Sequence, residues 1–220
     1  MTWHLHWLEA SGDLGPWRDA ITAEVEIARR AIVGLVPVRP LDILVQRDAD
    51  GVLPETGTGG RAYASTLFSL TIDPDNPNFA GVLADGDIRR TVVHEAHHCL
   101  RMAGPGYGWT LGEALVSEGL AGRFVERLFG AAPEPWENAF DDTALAAQRP
   151  DAALLAARDY DHAAWFFGSD AYPRWYGYTL GYRIAGDWVR ANPGADGETW
   201  VNVPAEAVLA AARGHTLAAA

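Results

Sequence analysis

Two histidines four residues apart, with a glutamate beside the first, carry the clearest chemistry in this chain. They lie in Thr91-Val92-Val93-His94-Glu95-Ala96-His97-His98-Cys99-Leu100. On a helix, positions i and i+4 share a face, so His94 and His98 can present two neutral imidazoles to one Zn²⁺. Glu95 can then act as general base towards a water on that ion. Zinc in a catalytic site needs a third protein ligand and an open fourth position. The next acids lie in Gly112-Glu113-Ala114-Leu115-Val116-Ser117-Glu118-Gly119. Thr110-Leu111-Gly112-Glu113 fits a capping box, which gives Glu113 another task. Glu118 falls mid-helix and is followed by Gly119 and Gly122. A helical glycine costs about 1 kcal/mol against alanine, so two near one carboxylate suggest a second backbone passing close by. The expected neighbour is the helix that carries the histidines. Glu118 is therefore the preferred third ligand, with Glu113 or an acid across the cleft as alternatives.

These residues need elements to hold them. The pattern predicts a helix over Asp87 to Met102, acidic at its start and followed by Gly104-Pro105-Gly106. At about 100° per residue, Ile88, Val92, Ala96, Cys99 and Ala103 form one apolar stripe, and the two histidines face away from it. Cys99 on that stripe reads as a small core residue. His97 reads as a structural or ligand-supporting residue. A second helix is expected over Leu111 to Phe129, closed by Gly130. Upstream, Trp3/Leu5/Trp7 alternate as in a strand, and His4 and His6 on its other face are assigned no metal. Gly15-Pro16 opens a helix closed by Gly34, and Leu41 to Gln46 reads as a strand. Asp48 to Gly60 is polar and glycine-rich, hence a loop. Arg61 to Asp73 reads as one long strand. From Ala131 to Arg149 the chain reads as irregular. Helices are expected over Pro150 to Trp165, Trp175 to Ala191 and Pro204 to Arg213. Residues 1–85 are strand-rich and 86–220 helical, which makes an α+β domain of two lobes over 1–220 the expected architecture.

Composition removes rival chemistries. All 17 basic residues are arginine, so catalysis through a lysine amine or ammonium is excluded, P-loop and Schiff-base chemistry included. One cysteine forbids an internal disulfide and a Cys-based zinc ribbon. A net charge of -12 makes nucleic acid and anionic membranes poor partners. Trp3, Trp7, Trp136, Trp165 and Trp175 then read as core or cleft walls rather than base-stacking platforms. Without an apolar run long enough for a membrane helix, or a signal-peptide pattern, the cytoplasm is the expected compartment.

An anionic tetrahedral intermediate would need a donor besides the metal. Tyr172-Pro173-Arg174-Trp175-Tyr176-Gly177-Tyr178-Thr179-Leu180-Gly181-Tyr182 is rich in such donors. Tyr178 is preferred, then Tyr182, with His162 third. Each tyrosine could equally be an amphipathic packing residue.

The motif with Ser117-Glu118-Gly119-Leu120-Ala121 downstream resembles the gluzincin, or thermolysin-like, metallopeptidases. The runs GGRAYASTLFSLTIDPDNPNF, VVHEAHH, SEGLA and YPRWYGYTLGY more closely resemble a bacterial family of zinc-dependent proteases predicted from sequence. The resemblance implies a zincin-like fold: a mixed or antiparallel N-terminal sheet with an edge strand over the cleft, an active-site helix and a helical C-terminal lobe. It implies His94, His98 and Glu118 as zinc ligands and Glu95 as catalytic base. It also implies that the Arg61–Asp73 strand pairs with an extended peptide or protein substrate. No G-x-M-x-N motif for a substrate amine is present, which argues against an aminopeptidase. Two further readings stand beside peptide-bond hydrolysis: a catalytically silent zinc-binding module for binding or regulation, and a zinc hydrolase of non-peptide amides or esters. The oligomeric state is not legible.

Overall fold

The computed structural model describes residues 2–37 and 39–218. The chain is α+β and divides into two compact units, Met1–Ala103 and Gly104–Ala220.

The first unit is built on a four-stranded mixed sheet: β1 (Trp3–Leu8), β2 (Leu41–Arg47), β3 (Thr58–Ala64) and β4 (Leu67–Ile72), in the order β1-β2-β4-β3. β1, β2 and β4 run parallel, and β3 returns antiparallel to β4. Ile43, Val45, Phe68, Leu70 and Ile72 are fully buried. Three helices complete the unit: α1 (Arg18–Val33), α2 (Phe79–Ala84) and α3 (Asp87–Met102). The helix expected over Asp87 to Met102 is α3, and its stripe residues Ile88, Val92, Ala96 and Cys99 are buried as the periodicity requires. Glu95, His97, His98 and Arg101 are buried too, so α3 is enclosed well beyond one apolar face. α3 packs against α1, β3 and β4. A bidentate pair fixes its pitch on α1: Arg89 Nε and Nη2 donate to the two Glu24 carboxylate oxygens at 2.6 and 2.9 Å.

Two expectations about this sheet need correction. Arg61 to Asp73 is a hairpin, not one strand, because the chain turns at Ser65-Thr66 between β3 and β4. The dipeptide has none of the usual hairpin glycines or asparagines, and a register shift between Ala62 and Ala64 absorbs the irregular turn. Thr58-Gly59-Gly60 belongs to β3 rather than to the preceding loop. Its glycines answer to crowding: a Cβ on Gly59 would stand 2.4 Å from the Gly51 carbonyl oxygen, and one on Gly60 would strike Glu95.

The second unit is helical: α4 (Leu111–Phe129), α5 (Asp142–Ala147), α6 (Ala152–Leu155), α7 (His162–Phe167), α8 (Tyr176–Ala191), α9 (Gly197–Asn202) and α10 (Ala205–Ala212). α4 starts on the expected capping box and ends at Gly130 in the left-handed conformation. α4 and α8 form the central pair, with α10 against both. The single helix expected over Pro150 to Trp165 is two short ones. Asp151 and Asp161 each accept the backbone N–H three residues on, so each side chain starts its own helix. The segment expected to be irregular contains α5, capped by Asp141.

The backbone that crowds α4 is α8, not the histidine helix. A Cβ on Gly119 would sit 1.9 Å from the Gly181 carbonyl oxygen, and one on Gly181 would sit 2.3 Å from that of Leu115. Gly119 and Gly181 therefore mark the point where α4 and α8 cross backbone to backbone. Gly122 has a different cause, since the buried Glu137 carboxylate occupies the space of its missing Cβ.

Candidate metal centre

In the first unit the helical spacing brings His94 and His98 onto one side of α3, with ring centroids 4.7 Å apart and planes at 80°. His94 is partly exposed and His98 buried. Glu95 is only 7% exposed. Its carboxyl lies against β3: a Cβ on Gly60 would come within 2.5 Å of Glu95 Cγ and 2.6 Å of Oε1. Only glycine at position 60 lets the edge strand run this close to the carboxylate. Cys99 Sγ points to the Leu67 carbonyl, 3.8 Å away at the start of β4. Burial, followed by the charge of Glu95, pushes that thiol up to about 12, so it stays neutral and non-nucleophilic at physiological pH. Burial alone draws Arg101, in the last turn of α3, down to about 10.

In the second unit Glu118 is buried on α4 and accepts a hydrogen bond at 2.6 Å from the Tyr107 hydroxyl. Burial first, then the charge of Glu118, drives Tyr107 well above its ordinary value, so the hydroxyl keeps its proton and donates. Tyr178 and Tyr160 also bear on Tyr107 electrostatically, and Glu118 bears on Tyr160. Glu118, Tyr107, Tyr160 and Tyr178 thus share one electrostatic neighbourhood. Tyr178 is half-buried, with Phe166 edge-on at 4.9 Å. The other two candidate donors have partners of their own. Tyr182 is buried, donates to Glu126 Oε2 at 2.9 Å and lies under the Arg123 guanidinium at 3.6 Å. His162 stacks on Phe166 and shares a 3.2 Å hydrogen bond with the Tyr160 hydroxyl. Glu113 is taken by its cap. Burial opposes its charge, but the amides of Trp109 and Thr110 and the Thr110 hydroxyl together hold it below the usual carboxylate range.

His94, His98 and Glu118 are, among the described residues, a group that could hold a metal ion. Two imidazole nitrogens and one carboxylate oxygen are a donor set suited to zinc. The model of the family described as "Predicted Zn-dependent protease (DUF2268)" matches residues 22–210. The chain belongs to that family. No curated protein and no solved structure matches the chain. Within the DUF2268 match lie the sheet from β2 onward, α3, and α4 through α10 almost to its end. No described helix is long and apolar enough to cross a membrane.

Sequence reasoning missed Gly60 and Tyr107. Gly60 was hidden inside an apparently flexible glycine-rich stretch. Tyr107 stands alone in Gly104-Pro105-Gly106-Tyr107-Gly108, where an aromatic residue among helix breakers was the available sign.

Proposed function

We propose that this protein is a gluzincin-type endopeptidase with a zincin-like active site, in which zinc is held by His94, His98 and Glu118. The observation that carries this reading is the donor set itself, two imidazoles one turn apart on α3 and a buried carboxylate on α4 that could hold one ion. Membership of a family described as zinc-dependent proteases supports it. Bound there, zinc supplies Lewis acidity, making a water acidic near neutral pH and polarising a carbonyl. Glu95 takes the proton of the attacking water on its carboxylate and hands it to the departing amine nitrogen. Tyr178 donates its hydroxyl proton as a hydrogen bond to the developing oxyanion. Tyr178 is preferred because it lies in the neighbourhood of Glu118 and Tyr107, whereas the Tyr182 hydroxyl lies on Glu126.

β3 is the sheet's edge, and past Thr58, whose carbonyl takes the Leu53 N–H, it is the strand to which an extended peptide would add in the manner of a further strand. β4, being interior, takes no part in that pairing. Glu95 is needed for proton transfer but not for holding metal, which favours an enzyme over a silent zinc-binding module.

Metal-stripped protein is expected to rebind one zinc per chain and to lose it in His94→Ala and in Glu118→Ala. Wild-type affinity in Glu118→Ala would remove that residue from the ligand set. A peptide-library digest with the loaded protein separates peptide hydrolysis from amide or ester chemistry.

Gly60→Ala tests the β3 contact. The new methyl must displace a buried carboxylate, and misplacing a catalytic group by about 1 Å can cost about 100-fold. Peptide turnover is expected to fall by roughly that factor while zinc affinity stays near wild type. Unchanged kcat would show that the Glu95 position against β3 does not matter for catalysis.

A further inference from the structure

We propose that Tyr107 is a positioning residue that holds the Glu118 carboxylate in one orientation for the metal; this rests on the zinc reading above. The Tyr107 hydroxyl donates to Glu118 Oε1 at 2.6 Å. One carboxylate oxygen is thereby engaged by the hydroxyl. A metal-binding carboxylate held through its second oxygen in this way keeps a fixed rotamer and binds through one oxygen rather than two.

The loop that carries Tyr107 is built to place it. Gly106 and Gly108 have φ of 93° and 103°, which side-chain-bearing residues rarely adopt, so the chain kinks on both sides of the tyrosine. Three residues of α4, Glu113, Ser117 and Glu118, pin the loop. Glu113 accepts the N–H of Trp109 at 2.8 Å and of Thr110 at 2.9 Å. Ser117 Oγ donates to the Tyr107 carbonyl at 2.7 Å. Glu118 takes the hydroxyl. Main chain and side chain of Tyr107 are thus both tied to the same helix, at adjacent positions 117 and 118. Gly108 is required for this close approach, since a Cβ there would stand 2.2 Å from Glu113 Cβ. Through this loop the capping box acts on the ligand as well as on the helix end.

The test uses the full chain, stripped of metal and titrated with Zn²⁺ against a chromophoric chelator, and separately loaded with Co²⁺ for its visible spectrum. Tyr107→Phe removes only the hydroxyl. It is expected to weaken zinc binding about 10–100-fold and to change the Co²⁺ spectrum, as the carboxylate gains freedom to bind through both oxygens. Thermal unfolding of the metal-free protein reports whether the variant is folded. Ser117→Ala frees the loop without touching the hydroxyl and is expected to give a smaller loss in the same direction. A folded Tyr107→Phe with wild-type affinity and an unaltered Co²⁺ spectrum overturns the positioning role, while loss of zinc in Glu118→Ala keeps the ligand assignment. If Glu118→Ala also binds as wild type, the ligand assignment fails and Tyr107 with it. Should Tyr107→Phe not fold, Ser117→Ala decides, and an unchanged affinity and spectrum there overturn the proposal.

Discussion

Glu95→Gln is expected to remove most of the peptide hydrolysis while leaving zinc affinity nearly intact. The amide is isosteric with the carboxylate, so the contact with β3 survives and the fold is not asked to rearrange. Only the ability to accept a proton is lost. General-base catalysis contributes about 10²–10⁴-fold, and kcat should fall by that order. The metal has no reason to leave, because Glu95 points to β3 rather than belonging to the donor set of His94, His98 and Glu118. The check is kcat and zinc stoichiometry on the same preparation. Retained activity with retained zinc would reject Glu95 as the base. Loss of both would move Glu95 into the ligand set. This single substitution also separates an enzyme from a silent zinc module, since a module would have no turnover to lose.

Gly119→Ala carries the largest expected effect on stability. Its methyl would lie 1.9 Å from the Gly181 carbonyl oxygen, 2.3 Å from its carbon and 2.9 Å from the Tyr182 nitrogen. All three are backbone atoms, so no side chain can swing aside. α4 and α8 must separate, and they carry Leu115, Leu120, Phe124, Leu180, Ile184 and Trp188, all buried. Overpacking of this kind costs about 3 kcal/mol or more, against the gain of up to about 1 kcal/mol that alanine brings to a helix. At this chain length roughly 3 kcal/mol corresponds to a fall in Tm of about 6–12 °C. Gly81→Ala in α2 is the control, because nothing lies within 4 Å of its Cβ. It should leave Tm unchanged or raise it. Equal behaviour of the two variants would remove the helix crossing as the reason for Gly119. Since Gly119 follows Glu118 directly, the destabilised variant should also bind zinc less tightly.

The sequence by itself determined the elements that carry the candidate metal ligands. The bounds of α3 and α4 follow from local rules: an apolar stripe, acids at one end, a capping box, a glycine stop. Spacing of four then puts His94 and His98 on one side of α3 whatever the rest of the chain does. The composition likewise excluded lysine and disulfide chemistry with no structure needed. The hairpin at Ser65-Thr66 and the split of α6 from α7 were obscure, because the turn has no glycine and the apolar pattern runs on through the break.

Only the tertiary structure decided what the glycines are for. In sequence Gly60 reads as part of a loop, and Gly119 and Gly181 read as weak points in helices. One makes room for a carboxylate and two let helices touch, and that difference depends on atoms far away along the chain. The structure likewise separated the tyrosines. Tyr182 serves Glu126, Tyr178 lies in the neighbourhood of Glu118, and Tyr107 holds Glu118 itself. Periodicity can place a hydroxyl on a helix face. Which partner it meets is set by packing between elements, and for Tyr107, on a loop with no period at all, by three hydrogen-bonded anchors on α4.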